Sequence, residues 1–320
     1  MIVVTGAAGF IGSCIVAKLN ERGVTDLILV DHMEEDKKGN LAGKKYKKYF
    51  EKEEFIKLIQ DDRLKEPVDC MIHMGACSST TCQDAEYFRT NNLEYTKTLA
   101  QWTSRHRVRF IYASSAATYG DGKTGYKDDI DTIRRCKPLN LYGKSKQDFD
   151  LWVIDNKMLD KMAGLKFFNV FGPNEYHKGD MRSVIAKAYK QVTDEGRISL
   201  FKSYKKEYKD GEQKRDFIYV KDAVEVVLFF LDHPQVNGIY NVGTGKARTW
   251  NDVAQALFKA VGKKPRIEYM EMPESLKPRY QYFTQADMKQ LRARGFKKPF
   301  TELESAVADY AQYLKSNAHL

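Results

Sequence analysis

Ile2-Val3-Val4-Thr5-Gly6-Ala7-Ala8-Gly9-Phe10-Ile11-Gly12 follows directly on Met1. Four β-branched residues predict a short strand, and the helix expected over Ile11 to Arg22 carries Ile15, Val16 and Leu19 on one face. Between them the glycines are spaced G-x-x-G-x-x-G, a departure from the general G-x-G-x-x-G fingerprint. Such glycines let the backbone turn tightly against a pyrophosphate, while the helix N-terminus offers aligned N–H groups and a partial positive charge. Asp31 ends the next apolar run, where a carboxylate accepts hydrogen bonds from an adenosine ribose. The opening stretch therefore reads as a dinucleotide site, with Gly6, Gly9, Phe10, Ile11, Gly12 and Asp31 as candidate cofactor residues.

The same rhythm continues outward. Leu27 to Val30 predicts a strand, Phe55 to Gln60 a helix, Cys70 to Met74 a strand, Glu86 to Ser104 a long helix and Arg109 to Ala113 a strand. Tyr142 to Lys157 predicts another helix and Leu165 to Val170 a strand. Beyond Gly172-Pro173 the pattern loosens into a helix at Ser183 to Thr193 and strands at Ser199 to Phe201, Arg215 to Val220 and Gly238 to Val242. Helices are expected at Asp222 to Leu231, Trp250 to Val261 and Phe300 to Lys315. The expected class is α/β, a Rossmann-type doubly wound parallel sheet with a smaller, interleaved α/β substrate lobe. Residues 1–171 plus about 214–245 would form the cofactor domain, and about 172–213 plus 246–320 the lobe.

With 320 residues, 42% of them hydrophobic, the chain can bury a proper core. Lys and Arg outnumber Asp and Glu by 53 to 43, a formal charge of +10 that suits nucleic acid, an anionic membrane surface or an anionic small substrate equally. Much of the excess lies in Lys37 to Lys52 and Lys202 to Lys214, expected to be solvated loops. No nucleic-acid recognition motif accompanies it, and no apolar run approaches about 18 residues, so neither nucleic acid nor membrane is an expected partner. Met1 runs into the first strand without a basic leader, and the five cysteines (Cys14, Cys70, Cys77, Cys82, Cys136) lack paired spacing. A reduced cytoplasmic protein without a metal site is the expectation.

Tyr142 and Lys146 fall four apart at the start of a helix, on one face. An adjacent ammonium favours phenolate, so Lys146 is expected to lower the Tyr142 pKa and make it an acid/base group. Such pairs recur by chance in a chain with 19 tyrosines. Ser115 gives this pair its context, because it lies at the C-terminal end of an apolar strand, where open parallel sheets place ligands and a hydroxyl can hold the reacting oxygen.

Turn, acid, strand-end serine and Tyr/Lys pair, in this order, resemble the extended short-chain dehydrogenase/reductase superfamily over nearly the whole chain. Gly75-Ala76-Cys77-Ser78-Ser79-Thr80-Thr81, Ala113-Ser114-Ser115-Ala116-Ala117-Thr118-Tyr119-Gly120 and Glu175-Tyr176-His177-Lys178-Gly179 narrow the likeness. Together with Asn169-Val170, Arg215-Asp216-Phe217, Asn241-Val242-Gly243-Thr244-Gly245, and Arg279-Tyr280-Gln281 ahead of Phe283-Thr284-Gln285-Ala286-Asp287, they resemble the ADP-glyceromanno-heptose 6-epimerase family.

That resemblance implies inversion of C6 in ADP-D-glycero-β-D-manno-heptose, supplying heptose for the lipopolysaccharide inner core. Hydride would leave C6, a transient 6-ketone would form, and hydride would return to the other face from a retained NADP. Tyr142 and Lys178 would handle protons, with Ser115 and Lys146 beside them. Carried over by motif, Phe10, Ile11, Asp31, His32, Lys37 and Lys52 would face the cofactor. So would Met74, Gly75, Ala76, Cys77 and Ser78, and also Asn91, Lys146, Val170 and Lys178. At Lys37 a one-residue slip to Lys38 stays open. Substrate contacts would include Ser115, Asn169, Asp180, Lys187 and Phe201, then Lys202, Ser203, Arg215 and Tyr280. Arg215 suits the diphosphate. Asp180 and Lys187 replace the family's usual serine and histidine, and the loop from Phe201 to Arg215 is lengthened. A homo-oligomer, a pentamer in that family, is also implied. Residue chemistry alone leaves NAD against NADP open. Asp31 repels a 2'-phosphate, whereas His32, Lys37, Lys38 and Lys52 offset it.

A nucleotide-hexose 4-epimerase would use the same Tyr142, Lys146 and Ser115 and differ in its sugar lobe. A dehydratase needs an acid just after the strand-end serine, where this chain has Ala116 and Ala117. A non-catalytic cofactor sensor would have no use for the acid/base set.

Overall fold

Val3 and Val4 point to opposite faces of β1, as do Ile28 and Leu29 of β2, and all four are fully buried. Val4 and Leu29 join Ile15, Leu19, Val224 and Val227 in the core on one side of a central sheet. Val3 and Ile28 join Phe55, Leu99 and Phe110 on the other. Burial on both faces explains why these strands read as continuous apolar runs. The computed structural model describes residues 1–274, 276–277 and 280–320. Arg279, in the run before Tyr280, lies outside the described residues.

The strands are β1 (Ile2–Thr5), β2 (Leu27–Asp31), β3 (Lys48–Glu51), β4 (Cys70–His73), β5 (Arg109–Ser115), β6 (Met162–Phe167), β7 (Asn169–Phe171), β8 (Ile198–Phe201), β9 (Lys214–Tyr219), β10 (Gly238–Val242), β11 (Ala247–Thr249) and β12 (Ile267–Met270). Seven of them form the central sheet in the order β10-β6-β5-β4-β1-β2-β3. Every pairing in it is parallel. Strand order reverses between β1 and β4, which opens a crevice at their C-terminal ends. Around it lie a three-stranded sheet, β11-β9-β7, and the pair β12-β8. The expected α/β, Rossmann-type architecture is thus observed.

Three local readings need correction. Lys37 to Lys52 is not a plain loop, since Lys38–Leu41 is helical and Lys48–Glu51 is β3. As the sheet's outermost strand β3 carries charge that a central strand would not tolerate, and this hid it. Leu165 to Val170 is two strands, parted at Phe168, so that β7 leaves the central sheet for the small one. The long helix of Glu86 to Ser104 contains a π turn over Arg89–Glu94, an irregularity often found at functional sites. Among the described residues no helix is long and apolar enough to cross a membrane.

Candidate active site

The glycine turn is built for close approach. A Cβ on Gly12 would lie 2.0 Å from the Gly6 carbonyl oxygen, and Gly6 itself has φ +66° with the Gly75 nitrogen 2.6 Å from where its Cβ would be. The helix Phe10–Glu21 starts at Gly9 with no side-chain cap, so its first-turn N–H groups are available to an anion. Asp31 is pinned at the adjoining strand end, its carboxylate accepting from the Ala8 N–H at 2.8 Å and the His32 N–H at 2.8 Å. These residues fit a dinucleotide with its pyrophosphate on the turn and its adenosine ribose at Asp31.

Lys37 and Lys38 point in different directions. The Lys37 ammonium lies 3.7 Å from Asp31 and 2.8 Å from Glu34, whereas Lys38 turns to solvent and pairs with Glu35. Burial opposes the Lys37 charge, but Glu34 and Asp31 outweigh it and hold its pKa above the usual lysine value. His32 lies exposed 3.4 Å from Glu51, and with Glu53 these groups converge closely enough for a cation, although all three are exposed. Farther along, Lys52 donates to the Asn91 side chain at 3.0 Å, so two expected cofactor residues meet.

The loop Met74 to Ser78 leaves β4 against the glycine turn, with the Met74 N–H donating to Thr5 O at 3.0 Å. A residue that sequence reasoning missed holds it. Asn92 accepts from the Cys77 N–H and donates to the Cys77 carbonyl, both at 2.9 Å, and donates to Ser145 Oγ at 3.0 Å. It is buried inside the π turn, and within an apparently regular helix nothing in the sequence set it apart. His73, beneath this loop, bonds Thr5 and Thr96. Burial and the nearby Lys146 push its pKa down to about 3, which makes it a neutral strut.

Ser115 ends β5, and its hydroxyl accepts from the Ala117 N–H at 3.1 Å. Helix Leu141–Asp155, capped by Asn140 on the Gly143 N–H, presents Tyr142 and Lys146 one turn apart. Burial pushes the Tyr142 pKa up, and hydrogen bonding by Ser115 works against that rise. The expected lowering by Lys146 is therefore not observed. Lys146 is itself only 5% exposed, and burial pushes its pKa down to about 8, so its ammonium is weakened where it was expected to act.

Lys178 comes from the other side. Its segment, Tyr176–Met181, is anchored by the buried Glu175, which accepts from the Ser183 N–H at 2.5 Å and the Ser183 hydroxyl at 2.6 Å. The Lys178 ammonium lies 5.4 Å over the Phe10 ring at the glycine turn, and burial holds its pKa below the usual lysine value despite Glu175. Thr80 reaches Met181 Sδ at 3.7 Å, joining this segment to the loop after β4. Asp180 and Lys187 are both exposed, and Lys187 donates to the Asp180 carbonyl at 3.3 Å rather than to its carboxylate.

At the far end Arg215 of β9 is 6% exposed. Its guanidinium donates to the carbonyls of Lys214 and Gln281, and lies 5.1 Å from the Tyr280 ring centre and 5.8 Å from that of Trp250. Trp250 Nε1 fixes Tyr280 by donating to its hydroxyl at 2.8 Å, and Phe201 meets Tyr280 edge-on at 6.5 Å. Among the described residues Arg215 forms no ion pair with a carboxylate. Lys202 instead pairs with Glu271 across β8 and β12, and the Ser203 N–H is spent on Asp210. Asn169 opens β7, within 3.5 Å of the Thr284 hydroxyl.

Residues 2–243 match the NAD dependent epimerase/dehydratase family. The ADP-L-glycero-D-manno-heptose-6-epimerase of Nitratidesulfovibrio vulgaris strain DP4 is 53% identical over 316 residues, 98% of each chain. The chain belongs to the ADP-glyceromanno-heptose 6-epimerase family. A Fusobacterium nucleatum protein of that name is 45% identical over 322 residues, covering 98% of this chain and 97% of its own. The crystal structure of the Helicobacter pylori ADP-L-glycero-D-manno-heptose-6-epimerase superposes with a TM-score of 0.83 at 26% identity, covering 98% of this chain and 96% of that one.

Part of what the family motifs share is structural. In Arg215-Asp216-Phe217 the Arg215 side chain lies against Tyr280 and Trp250. Asp216 is fully buried and accepts from the Thr244 N–H and hydroxyl, the Gly245 N–H and the Ala286 N–H, all at 2.7–3.0 Å. Asn241 likewise ties Tyr119 to the carbonyls of Tyr126 and Asp287. These epimerase motifs therefore tie β9 and the end of β10 to the segment around Ala286 and Asp287.

Proposed function

We propose that this protein inverts C6 of ADP-D-glycero-β-D-manno-heptose through a transient 6-ketone, with NADP as its retained cofactor. Bound, the nicotinamide would take hydride from C6 and return it to the other face. Ser115 would hold the C6 oxygen, and Tyr142, with Lys146 behind it, would exchange the hydroxyl proton of one epimer. Lys178 would serve the other epimer, whose hydroxyl points elsewhere. The observation carrying this reading is the second proton-handling group. Lys178 is brought over Phe10 by an element separate from the helix of Tyr142, and burial holds its pKa below the usual lysine value, which eases its giving up a proton. Arg215, with Tyr280 and Trp250, would hold the ADP diphosphate.

The test is to incubate purified protein with the D-glycero epimer in D2O and follow it by proton NMR. The L-glycero epimer should accumulate without deuterium at C6, because hydride from cofactor does not exchange with solvent. Deuterium at C6, a deoxy product or inversion only at C4 would refute the reading.

For the cofactor, Lys37 beside Asp31 supplies the positive charge that offsets repulsion of a 2'-phosphate. Lys37→Ala is expected to weaken NADP binding by about tenfold and to leave NAD almost untouched, since one charged hydrogen bond contributes about 1.5 kcal/mol. Equal losses for both dinucleotides, measured by calorimetry, would remove Lys37 from this role.

A further inference from the structure

Lys166 interrupts the apolar strand β6 between Leu165 and Phe167, and it is 0% exposed, as is Asp150 on helix Leu141–Asp155. Their charged groups meet at 2.6 Å. Desolvating such a pair costs much of what its attraction returns, and an apolar pair of similar volume is often at least as stable. Its wiring gives it another use. Asp150 also accepts from the Ser114 hydroxyl at 2.6 Å and the Tyr112 hydroxyl at 3.0 Å. Lys166 donates to Thr118 Oγ1 at 2.9 Å, and Thr118 donates to the Ser115 carbonyl at 2.8 Å. Ser115 is thus bracketed, with the residue before it held by Asp150 and its own carbonyl held through Thr118 by Lys166. Asp150 in turn follows Tyr142 and Lys146 at successive four-residue steps on one helix face.

We propose that the Asp150–Lys166 pair is a positioning unit for the reaction centre, fixing Ser115 against the Tyr142 helix and dividing the charge of Asp150 between Lys166 and Lys146. This rests on the reading of Ser115, Tyr142 and Lys146 as the acid/base set.

The groups facing the pair are Tyr112 from β5, Tyr119 from the turn after it, Cys136 beyond helix Ile130–Arg135, and Lys146 on the helix of Asp150 itself. His73 on β4 faces Lys146. Burial raises Tyr112, Tyr119 and Cys136 and lowers His73, so all four stay neutral near pH 7. One carboxylate is left against two lysines. Burial drives Lys146 down, and Asp150 is the group that opposes it.

The experiment is a pH titration of cofactor-loaded protein carrying 13Cε-labelled lysine, with the Lys146 signal identified by its loss in Lys146→Met. In Lys166→Met the charge of Asp150 acts on Lys146 alone, and its titration should move up by about one pH unit. In Asp150→Asn it should move down by about one. The alkaline limb of kcat/KM should follow in the same two directions. A pair that only braced the fold would lower activity in both variants without opposite movements. Lys146 titrating unchanged, or moving the same way in both, overturns the proposal. Should a stranded charge prevent either single variant from folding, Asp150→Asn/Lys166→Met leaves none unpaired. Its Lys146 should titrate near the wild-type value, because the two opposite shifts cancel, while kcat/KM falls for want of the bracket on Ser115; a Lys146 displaced by about one unit, or an unchanged kcat/KM, overturns the proposal. The NMR readout uses no heptose, so failure of C6 inversion would strike the proposed function and leave this titration decisive by itself.

Discussion

Tyr142→Phe is expected to lower kcat for epimerisation by about 10²- to 10⁴-fold, the usual contribution of a positioned acid/base group. The substitution removes one oxygen from a side chain whose ring can remain in place, so the fold and the cofactor cradle should be untouched. Burial keeps the Tyr142 proton on and Ser115 draws the other way, so the residue suits delivering a proton to a ketone held by the same serine. Lys178→Met, acting from the opposite wall, should slow turnover while leaving cofactor bound. The two losses should be complementary. With stopped-flow absorbance of reduced nicotinamide, each variant should remain competent to oxidise one epimer and fail with the other. Failure of both variants with the same epimer would place both groups on one face and end the two-group reading. Activity should also fall above about pH 8, because Lys146 is charged below its depressed pKa and neutral above it.

How far the sequence disclosed this site depended on whether a residue's job is local. The glycine turn, Asp31, Ser115 and the Tyr142/Lys146 pair act through strand ends and helix starts, which periodicity and spacing reveal. β10 was legible to the residue because Gly238–Val242 is an apolar run between polar turns. Asn92 and the Asp150–Lys166 pair act across elements far apart in the chain, and no local pattern records whom they meet. Lys166 did leave a trace, a charge inside Leu165-Lys166-Phe167 where a buried parallel strand should be apolar. Such an interruption signals a buried partner, and Asp150, four residues after Lys146, was available to be it. β3, β11 and β12 escaped notice for another reason. Short or charged strands at sheet margins lack the alternation that marks a half-buried strand. The Tyr142 expectation went astray because proximity to an ammonium was counted and its desolvation was not.

Arg215→Met should raise KM for ADP-heptose by about 10- to 100-fold with little change in kcat, the loss of charged hydrogen bonds contributing about 1.5–3 kcal/mol to ground state and transition state alike. The side chain is 6% exposed, lies against Tyr280 and Trp250, and donates to two backbone carbonyls. Burial already pulls its pKa below the usual arginine value. A buried cation without a carboxylate partner is a cost to the free protein, which a diphosphate would offset on binding. Two results should therefore accompany the KM change. The unliganded variant should melt no lower than wild type, since methionine fills the volume without a charge to desolvate. ADP, which should raise the wild-type Tm in proportion to its binding, should shift the variant far less. An ADP shift equal to that of wild type would mean that the diphosphate lies elsewhere, and would return Arg215 to the role of a strut between β9 and the segment around Gln281.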